Sequence, residues 1–156
     1  MVTADELDRL REIRLRALAD APGAFGGRYE DEAPRAAATW LSWVTKGGSF
    51  VVEDEQGWHG LVAVFLDPVD ASVCELISMW VDPSHRGQGW ARQLLAAGIV
   101  WARGQQAGSV RLGVVEGNAE ARRLYERVGF VPTGVTEPLR SDPAKLILFL
   151  SLPLGI

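Results

Sequence analysis

Residues 82–91, D-P-S-H-R-G-Q-G-W-A, constrain the fold more than any other stretch of the chain. Residues 75–81 before them, E-L-I-S-M-W-V, have the apolar and aromatic content of a strand. Residues 91–103 after them carry Leu94, Leu95, Ile99 and Trp101, an apolar region at helical spacing. A strand, a turn with two glycines and a helix start in direct succession can cradle an anion. Gly87 and Gly89 let the backbone turn sharply and come close to a ligand. The first N–H groups of a helix have no intrahelical acceptor and point beyond its N-terminus. Arg86 adds a cationic fork of donors. The same residues also suit a tight turn that merely starts a helix, and the segment alone leaves both readings open.

The rest of the chain predicts one α/β domain over residues 1–156. Residues 5–19 predict a first helix, with Leu7, Leu10, Arg14 and Leu18 on one face, stopped by Pro22 and Gly23. Phe25, Gly26 and Gly27 predict a loop, followed by the acidic stretch 30–32. Residues 34–45 predict a second helix that packs through Trp40, Leu41 and Val44 and ends at Gly47 and Gly48. Strands are expected over 49–53, 58–66 and 73–81, joined by turns at 54–57 and 67–71, as an antiparallel meander. A helix then leads to a strand at 109–115, which predicts a parallel crossover. Asn118 suits the cap of a short helix that Gly129 ends. Strands at 130–135 and 145–152, with a polar loop at 137–143 between them, complete a mixed, mostly antiparallel sheet flanked by about four helices.

Composition excludes several classes. Hydrophobic residues make up 47% of the 156 and charged residues 23%, as in a globular domain with a substantial core. No apolar run approaches the length that spans a bilayer, and the start M-V-T-A-D-E-L-D-R-L-R is too acidic for a signal peptide. The single cysteine, Cys74, rules out an intrachain disulfide framework, so a cytoplasmic location is the default expectation. His59, Cys74 and His85 do not have zinc-site spacing, and no metal is expected. A formal net charge of −4 argues against general nucleic-acid binding.

Two further stretches sharpen the turn at 82–91. The run E-L-I-S-M-W-V-D-P-S-H-R-G-Q-G-W-A, residues 75–91, resembles the acetyl-CoA-binding region of the GCN5-related N-acetyltransferase (GNAT) superfamily. That family pattern is Arg or Gln, two residues, Gly, one residue, then Gly or Ala, and here it reads Arg86-Gly87-Gln88-Gly89-Trp90-Ala91. The downstream N-A-E-A-R-R-L-Y-E-R-V-G-F, residues 118–130, is similar to the family's second cofactor segment, with an asparagine before the helix, a tyrosine late in it and Gly-Phe after it. The Rossmann fingerprint fails because Arg92 stands where the last glycine belongs, and the P-loop fails because no Lys–Ser/Thr pair follows Gly89.

The resemblance implies an acetyl-CoA-dependent N-acetyltransferase acting by direct transfer to a primary amine of a small molecule or peptide. It implies acetyl-CoA between the strands at 73–81 and 109–115, its pyrophosphate on the backbone of Arg86, Gly87, Gln88, Gly89, Trp90 and Ala91. Met79, Trp80 and Val81 would hold the pantetheine arm, and an amide at a bulge, from Met79 or Trp80, would face the thioester carbonyl. Tyr125 would protonate the departing thiolate, and Asn118 would cap its helix or touch the cofactor arm. Glu75 is the expected general base, sharing strand parity with Ile77, Met79 and Val81 before any bulge. His85 points to the phosphate side and Cys74 has no activating base. The acceptor is expected between residues 25–32, with Phe25, Tyr29 and Glu30 as candidates, and the loop at 134–144. A non-catalytic acyl-CoA sensor with the same fold, or another nucleotide-using enzyme, are the alternatives, and the apolar final strand leaves a homodimer open.

Overall fold

Short polar turns delimit most strands. Gln56 N donates to the Asp54 carboxylate, and Gly57 takes φ +130° to close the first hairpin. Val69 N and Asp70 N donate to Asp67 in the next turn. The computed structural model describes residues 1–25 and 27–155. The strands are β1 Gly47–Asp54, β2 Gly57–Leu66, β3 Val73–Val81, β4 Ser109–Val115, β5 Val131–Leu139 and β6 Asp142–Pro153. The helices are α1 Leu7–Asp20, α2 Tyr29–Glu32, α3 Ala37–Thr45, α4 Trp90–Gly104 and α5 Ala119–Val128. One six-stranded sheet has the order β1-β2-β3-β4-β6-β5, with β3 and β4 parallel and every other neighbouring pair antiparallel. The expected α/β architecture stands, with the single turn α2 added to four longer helices.

The sheet buries both faces. Val62, Val64, Cys74, Leu76, Leu112 and Leu150 meet Leu94 and Leu95 of α4 and Tyr125 of α5 on one side. Leu10, Ile13 and Leu18 of α1 and Trp40 of α3 pack with Leu61 and Trp80 on the other. Gly98 has a packing role: a Cβ there would stand 3.0 Å from both Leu76 Cδ1 and Val64 Cγ1, so α4 lies directly on β2 and β3.

Several boundaries differ from the sequence expectation. Gly47 and Gly48 begin β1 instead of ending a helix, and a Cβ on Gly48 would be 2.9 Å from the indole Nε1 of Trp101. The second helix starts at Ala37, three residues after Pro34, and Leu41 is exposed, leaving Trp40 as its buried anchor. The predicted loop at 137–143 is mostly strand, because β5 and β6 run on to a tight hairpin at Leu139 and Asp142. The acidic stretch 30–32 is helical, and Glu32 is buried against Arg14, with Nε–Oε1 at 2.9 Å and NH2–Oε2 at 3.0 Å. Gly26, within the expected loop, lies outside the described residues.

Candidate active site

The sheet opens at its centre. β3 and β4 pair only at Val73↔Ser109, Cys74↔Val110 and Glu75↔Arg111, then part. β4 stays paired with β6 through Val115, so β3 is the strand that leaves. The gap is a cleft of about 600 Å³, walled by residues 76–81 of β3 and 112–115 of β4. The glycine turn and the start of α4 line one end, α5 a side, and Ala21, Ala24 and Phe25 also line it.

A bulge re-aims β3 inside the cleft. Leu61↔Trp80 and Ala63↔Ile77 are paired, so three residues of β2 face four of β3. Ser78 absorbs the extra residue at φ +64°, a left-handed conformation unusual for a side chain other than glycine. Its Oγ is buried and has no hydrogen-bond partner among the described residues. The bulge also breaks the parity expected from sequence. Met79 and Val81 join Leu76 on the α4 side, whereas Trp80 packs on the α1 side. Glu75, one residue before Leu76, therefore does not share a face with Met79 and Val81.

Glu75 is absent from the cleft lining among the described residues. Its carboxylate pairs with Arg111, which also reaches Asp67 at 3.1 Å. Burial raises the Glu75 pKa, with Arg111 pulling the other way. Tyr125, by contrast, lines the cleft from α5 and is only 6% exposed. Burial pushes its phenol up to about 12, so it stays protonated well beyond neutral pH. Cys74 is buried and its thiol is raised to about 11 by desolvation, which removes it as a nucleophile.

The glycine turn at residues 86–89 has the shape expected of an anion cradle. Gly87 and Gly89 take φ +79° and +80°, and a Cβ on either would meet open space. Gly89 precedes the first residue of α4 and no side chain caps that helix, leaving its first N–H groups to a ligand. Gly87, Gly89, Trp90 and Ala91 line the cleft, whereas Gln88 does not. Arg86 lines it too, but its guanidinium is tied down: Nε donates to Val81 O at 2.9 Å and NH2 to Asp20 Oδ2 at 3.1 Å. Arg86 thus fastens the turn to β3 and α1. Arg92 and Arg127, which sequence reasoning missed, also line the cleft, and Glu120 is the one carboxylate among its described lining residues. The placement of Arg92 third in α4 and of Arg127 late in α5 was the available signal. Asn118 lines the cleft and caps α5, its Oδ1 accepting from Ala121 N at 3.3 Å.

The candidates for the acceptor separate. Phe25 is buried at the cleft, 4.9 Å from the Arg14 guanidinium. Tyr29 and Glu30 lie on α2 and are exposed outside the lining, with Glu30 3.8 Å from Arg28.

The fold and the opened sheet are those of an acyl-group transferase family. A model described as the acetyltransferase (GNAT) family matches residues 8–130, and the chain belongs to that family. Its fold is similar to that of a GNAT-family acetyltransferase from Streptococcus pneumoniae, at 15% identity over 99% of this chain and 96% of that one, with a TM-score of 0.83. It is likewise similar to an acetyltransferase from Salmonella typhimurium solved with its cofactor acetyl-CoA, at 20% identity over 99% and 92% of the two chains and a TM-score of 0.78. A mycothiol acetyltransferase from Thermomonospora curvata is 34% identical over 142 residues, 89% of this chain and 45% of the relative. The chain spans less than half the length of the curated relatives it matches first. No described helix is long and apolar enough to cross a membrane.

Proposed function

We propose that this chain is an acetyl-CoA-dependent N-acetyltransferase that moves the acetyl group directly onto a primary amine of a small molecule or peptide. The observation that carries the proposal is the cleft itself: β3 leaves β4 after Glu75↔Arg111, bulges at Ser78, and opens between Tyr125 and the Gly87–Gly89 turn.

In this reading the amides of the turn and of the first turn of α4 take the pyrophosphate. The freed edge of β3, residues 79–81, binds the pantetheine arm by backbone hydrogen bonds. The bulge amide of Met79 donates to the thioester oxygen, where negative charge develops as the amine attacks. The C–N bond forms as the C–S bond breaks, and Tyr125 donates to the leaving sulfur. Glu75 is not carried forward as the base, because its carboxylate is engaged by Arg111 outside the cleft lining. The amine loses its proton to water at the open mouth. Phe25, with Ala21 and Ala24, supports an apolar contact for the acceptor.

The test is CoA thiol release from acetyl-CoA across a panel of small amines and peptide N-termini. Amine-dependent release is expected. Tight acetyl-CoA binding without turnover on any amine would favour a sensor, and preferential binding of ATP or NAD would overturn the cofactor assignment.

A further inference from the structure

Of the large apolar side chains left exposed among the described residues, Ile77 alone lines the cleft. It is 38% exposed, although it sits within β3 between Leu76 and Ser78, both of which are buried. Leu76 packs toward α4. Successive side chains of a strand point to opposite faces, so Ile77 stands on the α1 side of the sheet. Its paired residue on β2 is Ala63, whose methyl covers little of it. Helices α1 and α3 cover Leu61 and Trp80 instead, farther along the same strands. Elsewhere on a surface a single exposed isoleucine is ordinary. On the wall of a cleft that admits an amine, it faces whatever the amine carries.

The cleft has two chemically different sides. On the α4 side, Leu94, Leu95 and Tyr125 cover the parted strands. The ionisable lining groups His85, Arg86, Arg92, Glu120 and Arg127 come from residues 85–92 and from α5. On the α1 side the lining is Ile77 with Ala21, Ala24 and Phe25, and Trp80 packs there beyond the bulge. None of these five side chains carries a charge. Carboxylates flank them, but each is paired with an arginine: Asp20 with Arg86, Glu75 with Arg111, and Glu32 with Arg14. Lys145 Nζ lies 3.7 Å from where a Cβ on Gly23 would stand, so the charge beside the 3-10 turn Pro22–Ala24 is positive. A second ammonium on the acceptor meets no free carboxylate among these residues. Hydroxyls on the acceptor would lose water against apolar side chains without gaining partners.

Helices α4 and α5 close the α4 side of the parted strands, so an amine reaches the thioester from the α1 side, past Ile77. We propose that the acceptor is a monoamine with an aryl or branched alkyl group close to its nitrogen, and that Ile77 is the residue that selects it. The proposal rests on the acetyl-transfer reading of the cleft and gives the acceptor of that reaction a chemical class. The apolar group covers Ile77 and the exposed edge of Phe25 and stays covered as the C–N bond forms, so selection appears in kcat/KM. A small amine and the N-terminus of a peptide that begins with an apolar residue share this chemistry, and the assay separates them.

Initial rates of CoA thiol release, with acetyl-CoA saturating, compare phenethylamine and isoamylamine with ethylamine, ethanolamine and putrescine, each corrected for its free-base fraction. Short peptides beginning with Phe or Gly test the other source. The two apolar amines should exceed ethylamine by about ten- to hundredfold in kcat/KM, with ethanolamine and putrescine no better than ethylamine. A Phe peptide that outruns phenethylamine assigns the apolar group to a peptide N-terminus, and the reverse order assigns it to a small amine. Ile77→Ala, checked for native circular dichroism, should lower kcat/KM for phenethylamine roughly five- to twentyfold more than for ethylamine, while acetyl-CoA affinity holds. Putrescine or ethanolamine preferred over the apolar amines, or an Ile77→Ala loss equal for ethylamine and phenethylamine, overturns the proposal. Acetyl-CoA binding without turnover on any amine or peptide overturns instead the transferase reading beneath it.

Discussion

Tyr125→Phe tests the chemistry most directly, and the burial of the residue sets the size of the effect. An ordinary thiol titrates near 8.5, and Tyr125 titrates at about 12. Full proton transfer to a thiolate is then uphill by about 3.5 units, close to 5 kcal/mol. The useful contribution is therefore a hydrogen bond to the sulfur as its charge grows. Such a charge-assisted bond is worth about 1.5–3 kcal/mol, or roughly 10- to 150-fold in rate. Single-turnover release of CoA thiol, which separates chemistry from product release, should slow by that factor while affinity for CoA holds. The same burial predicts a stability signature. The folded phenol titrates at about 12 and the unfolded one at 10.0. Its contribution is complete below pH 10 and is lost as pH rises through 12. Relative to pH 9, the native chain should lose about 1.4 kcal/mol more than Tyr125→Phe at pH 11, read by urea unfolding. Unchanged single-turnover kinetics would refute the sulfur contact. A loss beyond about 10⁴-fold would refute the limit that burial places on it.

Three other substitutions test separate parts of the frame. Glu32→Ala strands the buried Arg14 charge and should cost about 3–5 kcal/mol, lowering Tm by roughly 6–20 °C in a scan; a loss below 1 kcal/mol would show that the pair does not anchor α2. Ser78→Gly relieves a left-handed backbone and deletes an unpartnered hydroxyl, so stability in urea should rise by about 1 kcal/mol, and a fall would mean that the hydroxyl has a structural partner. Glu75→Gln should leave the pH–rate profile in place and cost only about 0.5–1 kcal/mol, because Arg111 is 41% exposed; a shifted profile would return Glu75 to the role of base.

What the sequence conveys and what it withholds divide along physical lines. Local chemistry was readable: β3 and β4 match their expected bounds, and Asn118 and Gly129 bracket α5 as a side-chain cap and a left-handed terminator at φ 119°. Signals with two structural meanings misled. Gly47 and Gly48 look like a helix stop, yet they begin a strand at the contact with Trp101. β5 is exposed at every position before Leu139, so its second half carries no apolar alternation: residues 130–135 read as strand, but the stretch from Glu137 with Pro138 reads as loop. Long-range features had no local sign. The Ser78 bulge follows from strand register, the Arg86–Asp20 contact spans 66 residues, and His59 meets His85 only through the fold.

The Ser78 bulge and the Arg86–Asp20 contact both act on β3 beyond the point where it parts from β4. A parallel pair that stayed zipped beyond Glu75 would hide the β3 backbone at 76–81 in a ladder. Parting exposes those polar groups to the cleft, and each group left dry without a partner costs about 1–3 kcal/mol. The surrounding contacts hold the gap open against that cost. Arg111 grips Glu75 at the last paired rung, the bulge turns Met79 and Val81 into the α4 core, and Trp80 is pinned on the opposite face by Asp20 at 3.0 Å. Arg86 then ties the end of β3, at Val81 O, to the same Asp20. An extended ligand with its own amides can complete the interrupted ladder without any of these anchors moving. These anchors keep the β4-facing edge of β3 free beyond Glu75 while its other edge stays paired with β2, and under the proposed function the ligand would bind by supplying the missing partner.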